Sequence, residues 1–110
     1  MIFDKQGIFT VITKESVSME TFLQRLKQSY DRLKHENLVI NLFLLHEITA
    51  DDLLLLLDIS NTHRKQKKSF VVVSNKVNYD EIPDKLLVVP TLQEARDIIE
   101  MEEIERDLGF

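Results

Sequence analysis

Cysteine is absent from this chain of 110 residues, and glycine and proline occur only twice each. Without cysteine there is no disulfide framework and no thiolate chemistry for metal or redox work, so a reducing cytoplasm is the expected setting. With Gly7 and Gly109 as the only glycines, a glycine-rich phosphate loop cannot be built. The Gly-x-Ser-x-Gly pattern of a serine nucleophile is missing as well. No apolar run approaches the roughly 20 residues of a membrane span, and the N-terminus carries no basic-then-apolar signal pattern. Positive charge is in deficit: the net charge is −5, which makes the chain a poor general binder of phosphate backbones. The stretch from Thr91 to Phe110 holds seven acids against two bases and accounts for all of that excess.

What is present suits one soluble domain. Apolar residues at 44% and charged residues at 30% are the mixture of a globular chain, and the length allows a single core. Met1 to Asp4 and Ile8 to Thr13 have strand-like composition, and the Lys5-Gln6-Gly7 break between them predicts a hairpin with glycine at a positive-φ turn. From Ser18, a plausible N-cap, Phe22, Leu23, Leu26, Tyr30 and Leu33 recur at helical spacing, predicting a helix to about His35. Asn37 to Leu45 reads as a central strand covered on both faces.

Thr49-Ala-Asp-Asp52 has the form of a helix cap, with Thr49 capping and Asp52 reaching back. In the leucine helix that follows, Leu53, Leu56 and Leu57 share a face, whereas Leu54, Leu55 and Ile59 are expected off it and free for a second contact. Ser69 to Ser74 and Leu86 to Val89 read as further strands, with a loop or single helical turn between Asn75 and Lys85. Thr91-Leu-Gln-Glu94 opens a last helix, expected to turn Leu92, Ala95, Ile98 and Ile99 inward and to stop at Gly109. The crossover rule then predicts parallel pairing of the two apolar strands joined by the leucine helix, in a mixed α/β sheet.

Four features could carry function. Asp51 and Asp52 are adjacent carboxylates in a first helical turn, where they either complement the helix dipole or mark a binding corner. His35, His46 and His63 are the only histidines and lack metal-ligand spacing; His35 and His63 fall near helix C-termini that favour an imidazolium, and His46 lies in the loop beside Asp51. Arg64, Lys65, Lys67 and Lys68 form a basic helix end, either solvated or touching RNA, without the interleaved aromatics of a single-strand platform. The acidic last helix is either a solvated face or a dock for a basic partner, with Leu108 and Phe110 as apolar anchors.

Val39-Ile-Asn-Leu42 followed by Thr49-Ala-Asp-Asp-Leu53 resembles the STAS domain of bacterial anti-sigma factor antagonists. There, a strand ends in Ile-Asp-Leu and Asp-Ser-Ser-Gly-Leu opens the next helix. The resemblance spans nearly the whole chain in architecture and implies a STAS-like α/β fold, with a four- to five-stranded mixed sheet, an N-terminal hairpin and three to four helices. It places Asp51 at the family's phosphorylated serine, Ala50 at the serine before it and Asp52 at the glycine. A carboxylate cannot be switched by a serine kinase, so the family's phosphorylation cycle does not carry over. The run from Val89 to Phe110 also resembles short STAS-like bacterial chains associated with ribonuclease Z, but that family's His-x-His-x-Asp-His zinc motif is missing here. The expectation is a cytoplasmic, non-enzymatic interaction module without metal or cofactor. It would bind a protein partner, or another copy of itself, through Thr49, Ala50, Asp51, Asp52, Leu54, Leu55 and Ile59. The rival expectation is an accessory protein of tRNA 3′-end processing that contacts RNA through the basic cluster.

Overall fold

The computed structural model describes every residue except Ser16, His46 and Phe110. Five strands form one sheet in sequence order: β1 (Ile2–Gln6), β2 (Phe9–Thr13), β3 (Asn37–Asn41), β4 (Phe70–Val73) and β5 (Val88–Val89). β1 runs antiparallel to β2, and every later neighbour pairs in parallel. Gly7, at φ 64°, turns the hairpin, and only its missing Cβ makes that conformation cheap. The turn is tighter than the sequence implied, because Lys5 and Gln6 belong to β1 and pair with Thr10 and Phe9.

Strand alternation sends side chains to two cores. On one face Ile12, Leu38, Ile40, Phe70 and Val72 meet α1 (Met19–Gln28), α2 (Tyr30–Leu33) and α3 (Ala50–Lys65) through Phe22, Leu26, Leu33, Leu53 and Leu56. On the other face Phe9, Val11, Val39, Val71 and Val73 meet α4 (Leu92–Asp107) through Ala95 and Ile99. Coverage of both faces explains why β3 and β4 read as unbroken apolar runs. Each large side chain so enclosed stabilises the fold by about 1.5–3 kcal/mol relative to exposure.

Two helical expectations are revised. The helix predicted to reach His35 breaks at Ser29, which caps α1, and α2 is a separate turn that ends at Leu33. Leu92, expected inward, is 38% exposed, because the first turn of α4 lies past the end of the sheet it covers.

Strand β3 also stops earlier than its composition suggests. The Asn41 side-chain oxygen accepts a hydrogen bond from the Phe43 amide at 3.1 Å, and the Leu45 amide turns back to the Leu42 carbonyl at 3.0 Å. An asparagine that bonds backbone two residues ahead diverts the chain from the ladder. Leu42 is still buried, but Phe43 and Leu44 are turned out at 58% and 62% exposure.

Candidate protein-interaction corner

The C-terminal ends of the parallel strands lie along one edge of the sheet. Lys14 follows β2, the Leu42–Leu45 turn follows β3, Ser74 follows β4, and Pro90 and Thr91 follow β5. The N-terminus of α3 rises from the same edge. Its start is a complete capping box: the Thr49 hydroxyl accepts from the Asp52 amide and the Asp52 carboxylate accepts from the Thr49 amide, both at 3.1 Å. Ile48 and Leu53, before and after the cap, are buried in the same core cluster, the arrangement of a hydrophobic staple that fixes how the chain enters the helix.

The two neighbouring aspartates therefore differ. Asp52 is half-buried and committed to the cap, while Asp51 is exposed and without a capping role. Behind them lies Lys14, only 3% exposed. Its ammonium donates to the carbonyl of Glu15 at 3.1 Å and to that of Val17. Burial pulls its pKa below the ordinary lysine value, and the Asp52 charge partly opposes that pull. This is a buried cation whose hydrogen bonds brace the loop after β2, with the Asp52 charge at the start of α3 near enough to act on it.

Four large apolar side chains near this polar base are exposed. Leu54 and Leu55 are exposed on α3, separated from Asp51 and Asp52 by the buried Leu53. Phe43 and Leu44 stand on the preceding turn, and a groove of about 310 Å³ runs between Asn41, Phe43, Val73, Pro90, Thr91 and Leu92. Thr49 and Ala50 are exposed as expected. Ile59 is a correction. At 100° per residue it lies 60° from Leu56, inside the covered arc that also holds Leu53, Ser60 and His63. It is 7% exposed and part of the core, so it cannot serve a partner surface.

The basic cluster lies at the other end of α3, a helix of 16 residues that spans ~24 Å. Arg64 is not free: it pairs with Glu102 at 3.0 Å and donates to the Phe70 carbonyl at 3.1 Å. Lys65 and Lys67 are exposed, Lys68 is half-buried, and Lys67 adopts φ 61° just past the helix end. A shallow cleft of about 710 Å³ there is lined by Asn61, Arg64, Lys65, Lys85, Leu87 and Glu102.

Of the histidines, His46 lies outside the described residues. His63 overturns its expectation. It is fully buried, and burial foremost, with Arg64 and Lys68 adding to it, lowers its pKa against the opposing hydrogen bond to Glu36. Its imidazole is therefore held neutral rather than favoured as a cation. Among the described residues no three acidic or histidine side chains gather as a metal site, and no helix is long and apolar enough to cross a membrane.

Lys14, Phe43 and Leu44 were missed by sequence reasoning. The asparagine closing an apolar run was the available signal for the exposed turn; nothing local marked Lys14, whose burial depends on the packing of three separate segments.

A mixed sheet in the order 1-2-3-4-5, with helices α1 to α3 on one face and α4 on the other, is the fold of STAS domains. A chain from the molecular architecture of the stressosome, described as a signal integration and transduction hub, matches with a TM-score of 0.63 and 17% identity, covering 90% of this chain and 96% of its own. An RsbS protein of Moorella thermoacetica, in a variant with one serine replaced by glutamate, matches with a TM-score of 0.70 and 17% identity, covering 96% and 97%. No family model matches the sequence, and no curated protein is significantly similar to it. At this identity the likeness is one of fold.

Proposed function

We propose that this chain is a non-enzymatic, STAS-fold regulatory module that binds a protein partner through the corner formed by Phe43, Leu44, Thr49, Ala50, Asp51, Leu54 and Leu55. One observation carries the reading: four large apolar side chains, Phe43, Leu44, Leu54 and Leu55, are exposed around a helix start whose polar groups are already capped. Isolated exposed leucines need no explanation, but four large exposed apolar side chains on the two segments that lead into and out of one helix start support an interaction site. Asp51 occupies the place that the STAS resemblance gives to a regulated serine. There it supplies a permanent single charge where a phosphate would supply more charge and more acceptors, so the corner is held in one state and not switched by a kinase. Chemistry has little support, since Asp52 is engaged in the cap and Asp51 faces solvent.

The test is affinity capture from lysate, with and without nuclease treatment, using the wild-type chain, Phe43→Glu, Leu54→Glu and Asp51→Ser, with sedimentation run in parallel. The reading expects a defined protein set that is lost with both glutamate variants and weakened with Asp51→Ser, which removes the fixed charge. A capture set identical for all four chains would overturn it. A dimer dissolved by Leu54→Glu would make the partner a second copy. Capture that needs intact RNA and disappears when Lys65, Lys67 and Lys68 become alanine would favour the RNA-accessory reading.

A further inference from the structure

We infer that α4 carries a second and separate docking surface, for an amphipathic helix of a basic partner protein. Met101, Ile104 and Leu108 are 62%, 59% and 67% exposed, and their spacing, i, i+3 and i+7, aligns them in one stripe along the helix. They cannot be core residues that failed to pack: the opposite side of α4 already holds Ala95 and Ile99 on the sheet. The i, i+3, i+7 pattern is the one by which helices pack into a partner's groove or against a partner's helix.

The charges beside the stripe decide the occupant. Glu100 and Asp107 lie along one flank and Glu94 and Glu105 along the other, all exposed, with Asp97 continuing the stripe itself. Neither arginine of α4 offsets them. Arg96 stacks over the Phe9 ring, 5.6 Å from its centroid, and donates to Gln6 at 3.3 Å. Arg106 is turned inward to Asn37, Ser69 and Glu103. A second copy docked stripe to stripe would set acid against acid on both flanks, which is unfavourable. An anionic membrane would repel the same flanks. An apolar helix edged with lysine or arginine matches both the stripe and its rails.

This surface is distinct from the strand-end corner. α4 covers one face of the sheet while Leu54 and Leu55 project from α3 on the other, so both can be occupied at once. Such a chain would link two partners, one through each face.

The probe is a synthetic amphipathic helical peptide with leucines at i, i+3 and i+7 flanked by lysines, compared with a twin in which glutamates replace the lysines. Titrated into the whole labelled chain and followed by amide NMR, the lysine peptide is expected to shift the signals of Met101, Ile104 and Leu108 saturably. Ile104→Ser should weaken it ~10-fold, as loss of a central apolar anchor does. Joint Glu100→Gln and Glu105→Gln replacement should flatten its salt dependence, while Leu54→Glu should leave it unchanged. Because these positions are exposed, the variants keep the wild-type melting profile. Equal binding of the glutamate twin, absence of saturable shifts, shifts centred on α3, or a dimer that Ile104→Ser dissolves would each overturn the inference.

Discussion

The Tyr30 hydroxyl donates to Nδ1 of His63 across 2.8 Å, joining α2 to α3 at the end of the molecule remote from the corner. The tautomer follows from the other ring nitrogen, since Nε2 lies 2.7 Å from the Glu36 carbonyl, which can only accept. Nε2 therefore carries the proton and Nδ1 is the acceptor. Protonating His63 would set a ring N–H against the Tyr30 O–H, and the amide of Gln66 already donates to that same oxygen at 3.2 Å.

A pH dependence follows. An unfolded histidine titrates near 6.5, and the folded pKa of His63 lies lower. The unfolded state thus binds more protons in that interval, so stability is full above about pH 7 and falls as pH drops below about 6.5. Urea unfolding between pH 8 and pH 5 should show a falling midpoint before carboxylates begin to titrate. A flat or rising midpoint would contradict the buried neutral ring. Tyr30→Phe leaves Nδ1 without its donor and should cost about 1 kcal/mol at neutral pH.

Adjacent leucines of α3 should respond very differently to truncation. Leu53 is fully buried and Leu54 is 56% exposed. Leu53→Ala is expected to cost about 2–5 kcal/mol, and Leu54→Ala to remain within about 0.5 kcal/mol. Ile59→Ala should fall with the costly group. Chemical denaturation of the three variants checks the rotational placement of the helix.

That placement also separates what was legible in the sequence from what was not. Capping chemistry is local, so Thr49 with Asp52 and Thr91 with Glu94 could be read directly, and the two apolar runs identified the central strands. The buried arc of α3 could not be read, because leucines nearly encircle its first turns and the covered arc is chosen by the neighbouring sheet and helices. Ile59 was misplaced for that reason. Lys14 was missed and His63 was misread as a cation for a related one: polar residues on or beside apolar elements reveal their burial only when chain-distant segments close over them. Within the corner, the cap was legible, and the outward turn of Phe43 and Leu44 was not.

A polar network closes the opposite end of the sheet and should give the protein its acid limit. Arg106 donates to Asn37, Ser69 and Glu103 at 3.2, 3.0 and 2.7 Å. Glu103 also accepts from Asn37 at 2.8 Å. The Asn37 hydrogen bond first, then Arg106, lowers the Glu103 pKa. A carboxylate with a depressed folded pKa stabilises above its unfolded value and loses that contribution as pH falls below about 4.5. Arg106→Ala should cost about 1.5–3 kcal/mol at neutral pH, the scale of hydrogen bonds to a charged group, and should shrink the loss between about pH 5 and pH 3.

The cap and the corner can be separated by two neighbouring substitutions. Thr49→Ala removes the acceptor for the Asp52 amide and should cost about 1 kcal/mol. Asp51→Ser touches no capping bond and should stay within about 0.5 kcal/mol in thermal or urea unfolding. Equal losses would mean that Asp51 has a structural role the capping geometry does not account for.

Lys14 supplies the sharpest contrast between stability and function. A buried ammonium with a lowered pKa weighs against folding at neutral pH, because the unfolded lysine holds its proton more readily. Replacing a buried charge with an apolar side chain of similar length is often neutral or stabilising. The carbonyls it leaves, those of Glu15 and Val17, sit in a loop at the rim, where Glu15 is exposed and water can take over the donor role. Lys14→Met should therefore melt at or above the wild-type temperature. The same change removes the bonds that brace the loop after β2 and the positive charge that acts on Asp52. Amide exchange at Val17 and Thr49 should quicken, and partner capture at the corner should weaken, with no loss of global stability. A fall in stability beyond about 2 kcal/mol would instead make Lys14 a structural tie whose bonds water cannot replace.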